Sequence, residues 1–189
     1  MRLLLFLFKI LILLILVPLL IIPFIIISII IKIDSEGPVI YWSKRVGIDN
    51  KIFLMPKFRT MKIQTKDVAS HLLDNPNDHI TKFGKFLRKT SLDEIPQLYS
   101  ILKNDMNFIG PRPALFNQYD LIEMRKNKNI HKIKPGITGY AQVNGRDNLS
   151  IDNKVKFDSL YCKNNGVRMN LKIILKTILI LLTSSNIKH

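Results

Sequence analysis

The sequence predicts an α+β chain, mainly helical, with an N-terminal membrane helix, a small β-hairpin and amphipathic surface helices. Three observations carry this. Residues 10–31 are apolar apart from Ser28 and the prolines Pro18 and Pro23; two β-prone runs flank Gly47-Ile48-Asp49-Asn50; and the remainder alternates helix-period segments with Gly and Pro punctuation.

The apolar run comes first. A straight helix over it is roughly 33 Å long at about 1.5 Å per residue, enough to cross a hydrocarbon core. The run is too long for a signal-peptide core, and no small-residue cleavage site follows in Lys32-Ile33-Asp34-Ser35-Glu36, so it is expected to be retained. Basic residues flank both ends (Arg2 and Lys9, then Lys32, Lys44 and Arg45), and each proline removes a backbone donor and bends a helix. A single span and a re-entrant helix that enters and leaves on one face both fit. After the turn at Gly37-Pro38, residues 39–42 and 51–55 read as hairpin strands. One helix is expected within 63–77, a loop at Asp74-Asn75-Pro76-Asn77-Asp78, and helical pattern again over 83–88. Further helices are expected at 92–102 and 114–126, the second after Gly110-Pro111-Arg112-Pro113. Residues 171–182 are apolar apart from Lys172, Lys176 and Thr177, too short to span a bilayer but suited to its surface or to a buried packing role.

At 189 residues the chain has room for one compact unit with appendages. Its 29 Lys and Arg against 14 Asp and Glu leave a formal charge of +15, which favours anionic partners: nucleic acid, phosphorylated substrates or an anionic leaflet. The one cysteine, Cys162, excludes an internal disulfide, and His71, His79, His131 and His189 lack metal-ligand spacing, which argues against zinc.

Four stretches can carry chemistry. In Thr90-Ser91-Leu92-Asp93-Glu94-Ile95-Pro96-Gln97, Ser91 and Glu94 have capping-box spacing, which would make Glu94 structural and leave Asp93 to complement the helix dipole. The functional reading is that the dipole and the neighbours Lys85, Arg88 and Lys89 lower the Asp93 pKa and keep it ionised, fit to hold a divalent cation or attack phosphorus. Gly110-Pro111-Arg112-Pro113 combines a turn, an Arg fork and helix N–H groups, the ingredients of a phosphate site, or is a plain turn. Alternation in Lys57-Phe58-Arg59 puts two cations on one strand face, for a diphosphate or simply for solvent. Residues 134–146, with three glycines, read as a shaped binding loop or an ordinary surface loop.

These pieces stand in an order that resembles the bacterial sugar transferase family, the small monotopic phosphoglycosyl transferases that start glycan assembly on undecaprenyl phosphate. The blocks that carry the resemblance are Lys57-Phe58-Arg59-Thr60-Met61, Arg88-Lys89-Thr90-Ser91-Leu92-Asp93-Glu94-Ile95-Pro96-Gln97, Met106-Asn107-Phe108-Ile109-Gly110-Pro111-Arg112-Pro113 and Lys134-Pro135-Gly136-Ile137-Thr138-Gly139. The resemblance implies a ping-pong reaction with Mg²⁺, in which Asp93 attacks the β-phosphate of a UDP-sugar, UMP leaves, and undecaprenyl phosphate takes the phosphosugar. Glu94 would orient or deprotonate the lipid phosphate, and both carboxylates would serve the metal. Lys57, Arg59, Arg88, Gly110, Pro111 and Arg112 would surround the phosphates, with Gln142, Arg146 and Asp158 toward the nucleotide or sugar. It also implies a re-entrant helix over 1–33 kinked at Pro18, a catalytic domain over 34–168 and an amphipathic membrane-surface helix and tail over 169–189. The family's usual Ser-Pro kink is Val17-Pro18 here, so no serine hydroxyl is at hand for the freed carbonyl.

The setting so implied is the cytoplasmic face of a bacterial inner membrane, with UDP-sugar, undecaprenyl phosphate and membrane lipid as partners. Downstream glycosyltransferases or a second copy are further candidates. The short chain resembles members that use N-acetylated amino or deoxy-amino sugars; the alternative is an initiating hexose-1-phosphate transferase using UDP-glucose or UDP-galactose. A basic membrane-tethered binding protein is the competing class, but the aromatics beside the basic residues form no stacking or groove-reading pattern, so nucleic acid is not expected.

Overall fold

The computed structural model describes residues 2–65, 74–145 and 148–183. Helix α1 (Arg2–Asp34) stays helical through Pro18 and Pro23. Each proline leaves the carbonyl four residues earlier, on Leu14 and Leu19, without its helical donor. Leu14, Ile15, Leu19, Ile22, Ile25 and Ile29 are all exposed, whereas Ile27 and Ile31 near the C-terminal end are buried. Among the residues whose side chains are described, no helical stretch is long and apolar enough to cross a membrane.

Strands β1 (Ile40–Val46) and β2 (Ile52–Phe58) pair antiparallel, from Ile40 opposite Phe58 to Val46 opposite Ile52, as the hairpin prediction requires but longer. The turn between them takes left-handed φ at Asp49 and Asn50, residue types that tolerate it. A short helix α2 (Pro76–His79) stands where a loop is expected, while residues 63–64 form a turn and most of the predicted 63–77 helix lies outside the described residues. Helix α3 (Lys82–Thr90) follows the expected pattern. Residues 92–102 divide into a 3₁₀ turn (Leu92–Gln97) and α4 (Leu98–Leu102), consistent with Pro96, which cannot donate a backbone hydrogen bond.

The helix expected over 114–126 begins only at Tyr119, as α5 (Tyr119–Asn127). The preceding residues are drawn out along the edge of β1: the Val46 amide donates to the Ala114 carbonyl, the Phe116 amide to Lys44, and Leu115 bridges Arg45. The Gln118 side chain then accepts from the Leu115 amide at 2.9 Å. Tertiary pairing thus overrides local helical pattern. Strands β3 (Asn107–Ile109) and β4 (Gly136–Thr138) pair parallel, and α6 (Ile151–Lys163) and α7 (Val167–Thr183) complete the chain.

Small apolar clusters hold these elements. Ile27 and Ile31 of α1 pack with Phe58 and Leu87, and Phe83, Leu92 and Ile95 close over them. Asp34, at the end of α1, accepts from the Phe83 amide at 3.1 Å, while Thr81 accepts from Gly84 at 3.0 Å, so two side chains cap α3. The apolar helix is therefore built into the scaffold that leads to Asp93. Helix α7 packs through buried Ile173 against Val143 and Tyr161, leaving Leu171, Ile174, Leu175, Ile178 and Leu182 exposed. It is a packing helix on one side, as one of the two readings of its sequence has it, with an apolar face left uncovered on the other.

Candidate active site

The site is made by a chain reversal. Ser91 ends α3 in left-handed geometry (φ 57°), its amide donating back to Arg88, and the 3₁₀ turn starts at once. Leu92 and Ile95 enter the cluster of Ile31, Phe58 and Leu87, and the two residues between them, Asp93 and Glu94, face Lys57 on β2. Lys57 Nζ lies 3.0 Å from Glu94 Oε1 and 3.8 Å from Asp93 Oδ2. Arg112 Nη2 donates to the same Glu94 oxygen at 2.8 Å. Arg88 adds positive charge near Asp93 while its Nε donates to Thr60 Oγ1 at 2.9 Å.

This arrangement corrects two expectations. The capping box does not form: Ser91 makes no side-chain cap, and Glu94 is taken by Lys57 and Arg112. Nor is the Asp93 pKa lowered. Burial pushes it above the ordinary carboxylate range and Glu94 adds to the rise, against the opposing pull of Lys57, Arg112 and Arg88. Burial lowers Lys57 from the usual ammonium value in turn, with Glu94 and Asp93 resisting. Burial thus works against the charged form of both partners, and each helps to keep the other ionised.

The other predicted residues divide between this cluster and the frame around it. Gly110 gives its N–H to the Thr138 carbonyl at 2.9 Å, and the Pro111 carbonyl accepts from Gly136 at 3.0 Å. A Cβ on Gly110 would stand 2.6 Å from the Lys134 carbonyl oxygen, and one on Gly136 would stand 2.1 Å from the Gly110 nitrogen. These glycines let two backbones cross; with the helix displaced to Tyr119, only Arg112 of the expected phosphate turn reaches the carboxylates.

Arg59 is 6% exposed and its guanidinium donates to the carbonyls of Ser35, Glu36 and Pro38, where α1 ends, so it is turned to the frame. Gln142 donates from Nε2 to the Ile137 carbonyl at 2.7 Å, and its buried Oε1 has no hydrogen-bond partner among the described residues. Arg146 lies outside the described residues. Asp158 is fully buried on α6 and pairs with Arg125 of α5 at 2.6 Å. Arg125 was not among the residues the sequence singled out, because nothing in its local pattern reveals a partner 33 positions away.

Chemically, the cluster sets two adjacent carboxylates against three cations, Lys57, Arg88 and Arg112, a surplus suited to anionic oxygen. Among the described residues there is no group of three or more His, Cys, Asp and Glu that would form a ready-made metal cage. A model of the family described as "Bacterial sugar transferase" matches residues 2–184.

The chain belongs to the bacterial sugar transferase family. Among its relatives in that family, the galactosyl transferase CpsE of Streptococcus agalactiae is 37% identical over 166 residues, covering 80% of this chain and 36% of the relative. The UDP-glucose:undecaprenyl-phosphate glucose-1-phosphate transferase of Escherichia coli is 39% identical over 160 residues, 80% of this chain and 34% of the relative. The uncharacterized sugar transferase EpsL of Bacillus subtilis is 38% identical over 161 residues, 85% of this chain and 78% of the relative. This family member therefore spans little more than a third of the first two relatives and most of the third.

Proposed function

We propose that the chain transfers a sugar 1-phosphate from a UDP-sugar to undecaprenyl phosphate and releases UMP. The observation that carries this is the pair of adjacent carboxylates, Glu94 gripped by Lys57 and Arg112 and Asp93 held more loosely, 3.8 Å from Lys57 with Arg88 and Arg112 adding charge nearby. Asp93, with Lys57 at 3.8 Å, is the freer of the two and acts as nucleophile. Its oxygen bonds to the β-phosphorus as the bond from that phosphorus to the bridging oxygen breaks, and UMP departs with the bridging oxygen. A phosphate oxygen of the lipid then attacks the same phosphorus and expels the Asp93 carboxylate. Glu94, held in place, orients the lipid phosphate and takes its proton if it arrives protonated. Lys57, Arg88 and Arg112 meet the charge that builds on the phosphoryl oxygens.

Two neighbouring carboxylates, with no third His, Cys, Asp or Glu grouped with them among the described residues, fit a Mg²⁺ ion that would complete its shell with substrate oxygens, and Asp93 and Glu94 would hold it. The metal would neutralise diphosphate charge. The exposed apolar sides of α1 and α7 support contact with lipid; in this reading α1 enters one leaflet as a re-entrant helix, α7 lies at the bilayer surface, and the site faces the cytoplasm.

For the donor, an N-acetylated amino or deoxy-amino sugar is the first reading. The aligned relative named as an N-acetylgalactosaminephosphotransferase in Aeromonas hydrophila, 35% identical, accords with it. A hexose donor is the second reading, favoured by the relatives named for glucose and galactose.

The deciding assay measures UMP release from a panel of UDP-sugars in nanodiscs. Donor alone should release up to one equivalent of UMP and leave a sugar-phosphate adduct on the peptide carrying Asp93. Release that requires the lipid acceptor, with no adduct, would overturn the two-step route. Single cysteines beside Arg2 and Lys32, in a Cys162→Ser background, should both label from the same side of a vesicle; labelling from opposite sides would replace the re-entrant path with a span.

A further inference from the structure

Arg112 stands between two prolines, so the segment Pro111-Arg112-Pro113 has a single backbone N–H of its own. Each of its three carbonyls is instead held from outside. Gly136 N–H donates to Pro111 at 3.0 Å, Arg125 Nη1 to Arg112 at 2.8 Å, and Arg45 Nη1 to Pro113 at 3.1 Å. The middle anchor has its own support: Arg125 Nη2 and Nε reach Asp158 Oδ2 at 2.6 Å and 3.1 Å. The far end of this chain of contacts is the Arg112 guanidinium, 2.8 Å from Glu94.

We propose that Arg125 and Asp158 are positioning residues, which fix the Arg112 main chain and so set the angle from which its guanidinium grips Glu94. Three features favour this over a pair that merely ties α5 to α6. Arg125 uses its planar fork in both directions at once, toward the Asp158 carboxylate and toward the Arg112 carbonyl, a geometry that lysine cannot reproduce. Asp158 is 0% exposed, closed off from solvent, and the hydrogen bonds it makes toward the site run through Arg125. Its Oδ1 is buried with no hydrogen-bond partner among the described residues, so Arg125 is its one partner there and the carboxylate is committed to holding that guanidinium. The sequence-based placement of Asp158 toward the nucleotide or sugar is thereby replaced by a role one step behind Arg112.

The assignment rests on the proposed transfer reaction for its kinetic readout and on none for its spectroscopic one. Asp158→Asn and Arg125→Lys are each made in the wild-type chain and in Arg112→Gln, and kcat/KM for UMP release is measured in all of them. In the wild-type background each is expected to lower kcat/KM by about 10-fold or more, as outer partners of working side chains do. In the Arg112→Gln background the same changes should cost no more than about twofold, because the group they position is gone. Equal losses in both backgrounds would overturn the proposal, since a general loss of packing multiplies through. In parallel, the guanidinium N–H signals of Arg112 are followed by NMR in arginine-labelled protein without substrate. They should broaden or shift in both variants; unchanged signals would overturn the proposal even if the reaction itself proves to be a different one. Arg125→Lys keeps a cation beside Asp158 and serves where Asp158→Asn fails to fold.

Discussion

Two buried acid–base clusters lie on either side of Arg112, and they are built differently. At one, Asp93 and Glu94 face Lys57, Arg88 and Arg112, and Asp93 retains 8% of its surface. At the other, Asp158 meets Arg125 one to one and retains none. Burial raises the pKa of Asp93 and of Asp158 alike, so a perturbed pKa does not by itself distinguish the proposed active site from the frame. Stoichiometry and access do. A closed pair neutralises itself and serves to hold what is bonded to it, here the Arg112 main chain; a less enclosed cluster with more cations than carboxylates suits an anionic ligand.

The largest test of that contrast is the same isosteric change on both sides. Asp93→Asn is expected to lower kcat by at least about 1,000-fold and to abolish the covalent adduct, because an amide cannot serve as the nucleophile. Asp158→Asn should cost far less and leave the adduct chemistry intact. Reversed magnitudes would exchange the roles of the two clusters. Next in size is Glu94→Gln, expected to cost about 100-fold, the scale of a lost acid–base group, with UMP release from donor alone less affected than transfer to lipid. Equal damage to both half-reactions would place Glu94 in the first step.

A smaller effect sharpens the electrostatics. If Asp93 reacts as the carboxylate, its raised pKa puts the acid limb of kcat/KM above the ordinary carboxylate value of about 4. Lys57 holds the Asp93 pKa down and Glu94 holds it up. Lys57→Met should therefore move the acid limb to higher pH, and Glu94→Gln should move it to lower pH, in whatever activity remains. Shifts of the same sign in both variants would show that another group titrates there.

What the sequence disclosed follows from how local each feature is. The hairpin announces itself through β-prone runs around Gly47-Ile48-Asp49-Asn50, and the carboxylate pair through its place after a basic helical stretch. The capping box at Ser91 and Glu94 was legible too, and misleading: the spacing is right, but Ser91 is needed to end α3, and two cations from β2 and the Pro-Arg-Pro segment outbid its amide for Glu94. The late start of α5 and the partnership of Arg125 with Asp158 depend on residues distant in the chain, which periodicity cannot report. Arg59 sits with Lys57 in one motif, yet the fold sends one side chain to Glu94 and the other to the end of α1.

That last separation yields the smallest effect expected. Arg59 donates to three carbonyls, on Ser35, Glu36 and Pro38, and so ties the exit of the apolar helix to the end of β2. Arg59→Lys keeps the charge, but a single ammonium cannot follow the spread of a guanidinium fork over three acceptors. With two of the three bonds lost, the chain should be less stable by about 2 kcal/mol, at roughly 1 kcal/mol for each net hydrogen bond. Thermal unfolding in detergent reads this directly. The acid limb of the pH profile should stay where it is, because Arg59 is not among the groups that set the Asp93 carboxyl. A limb that moves while the unfolding temperature holds would bring Arg59 back to the phosphates, and the two cations of Lys57-Phe58-Arg59 would then work on one face, as their alternation suggests.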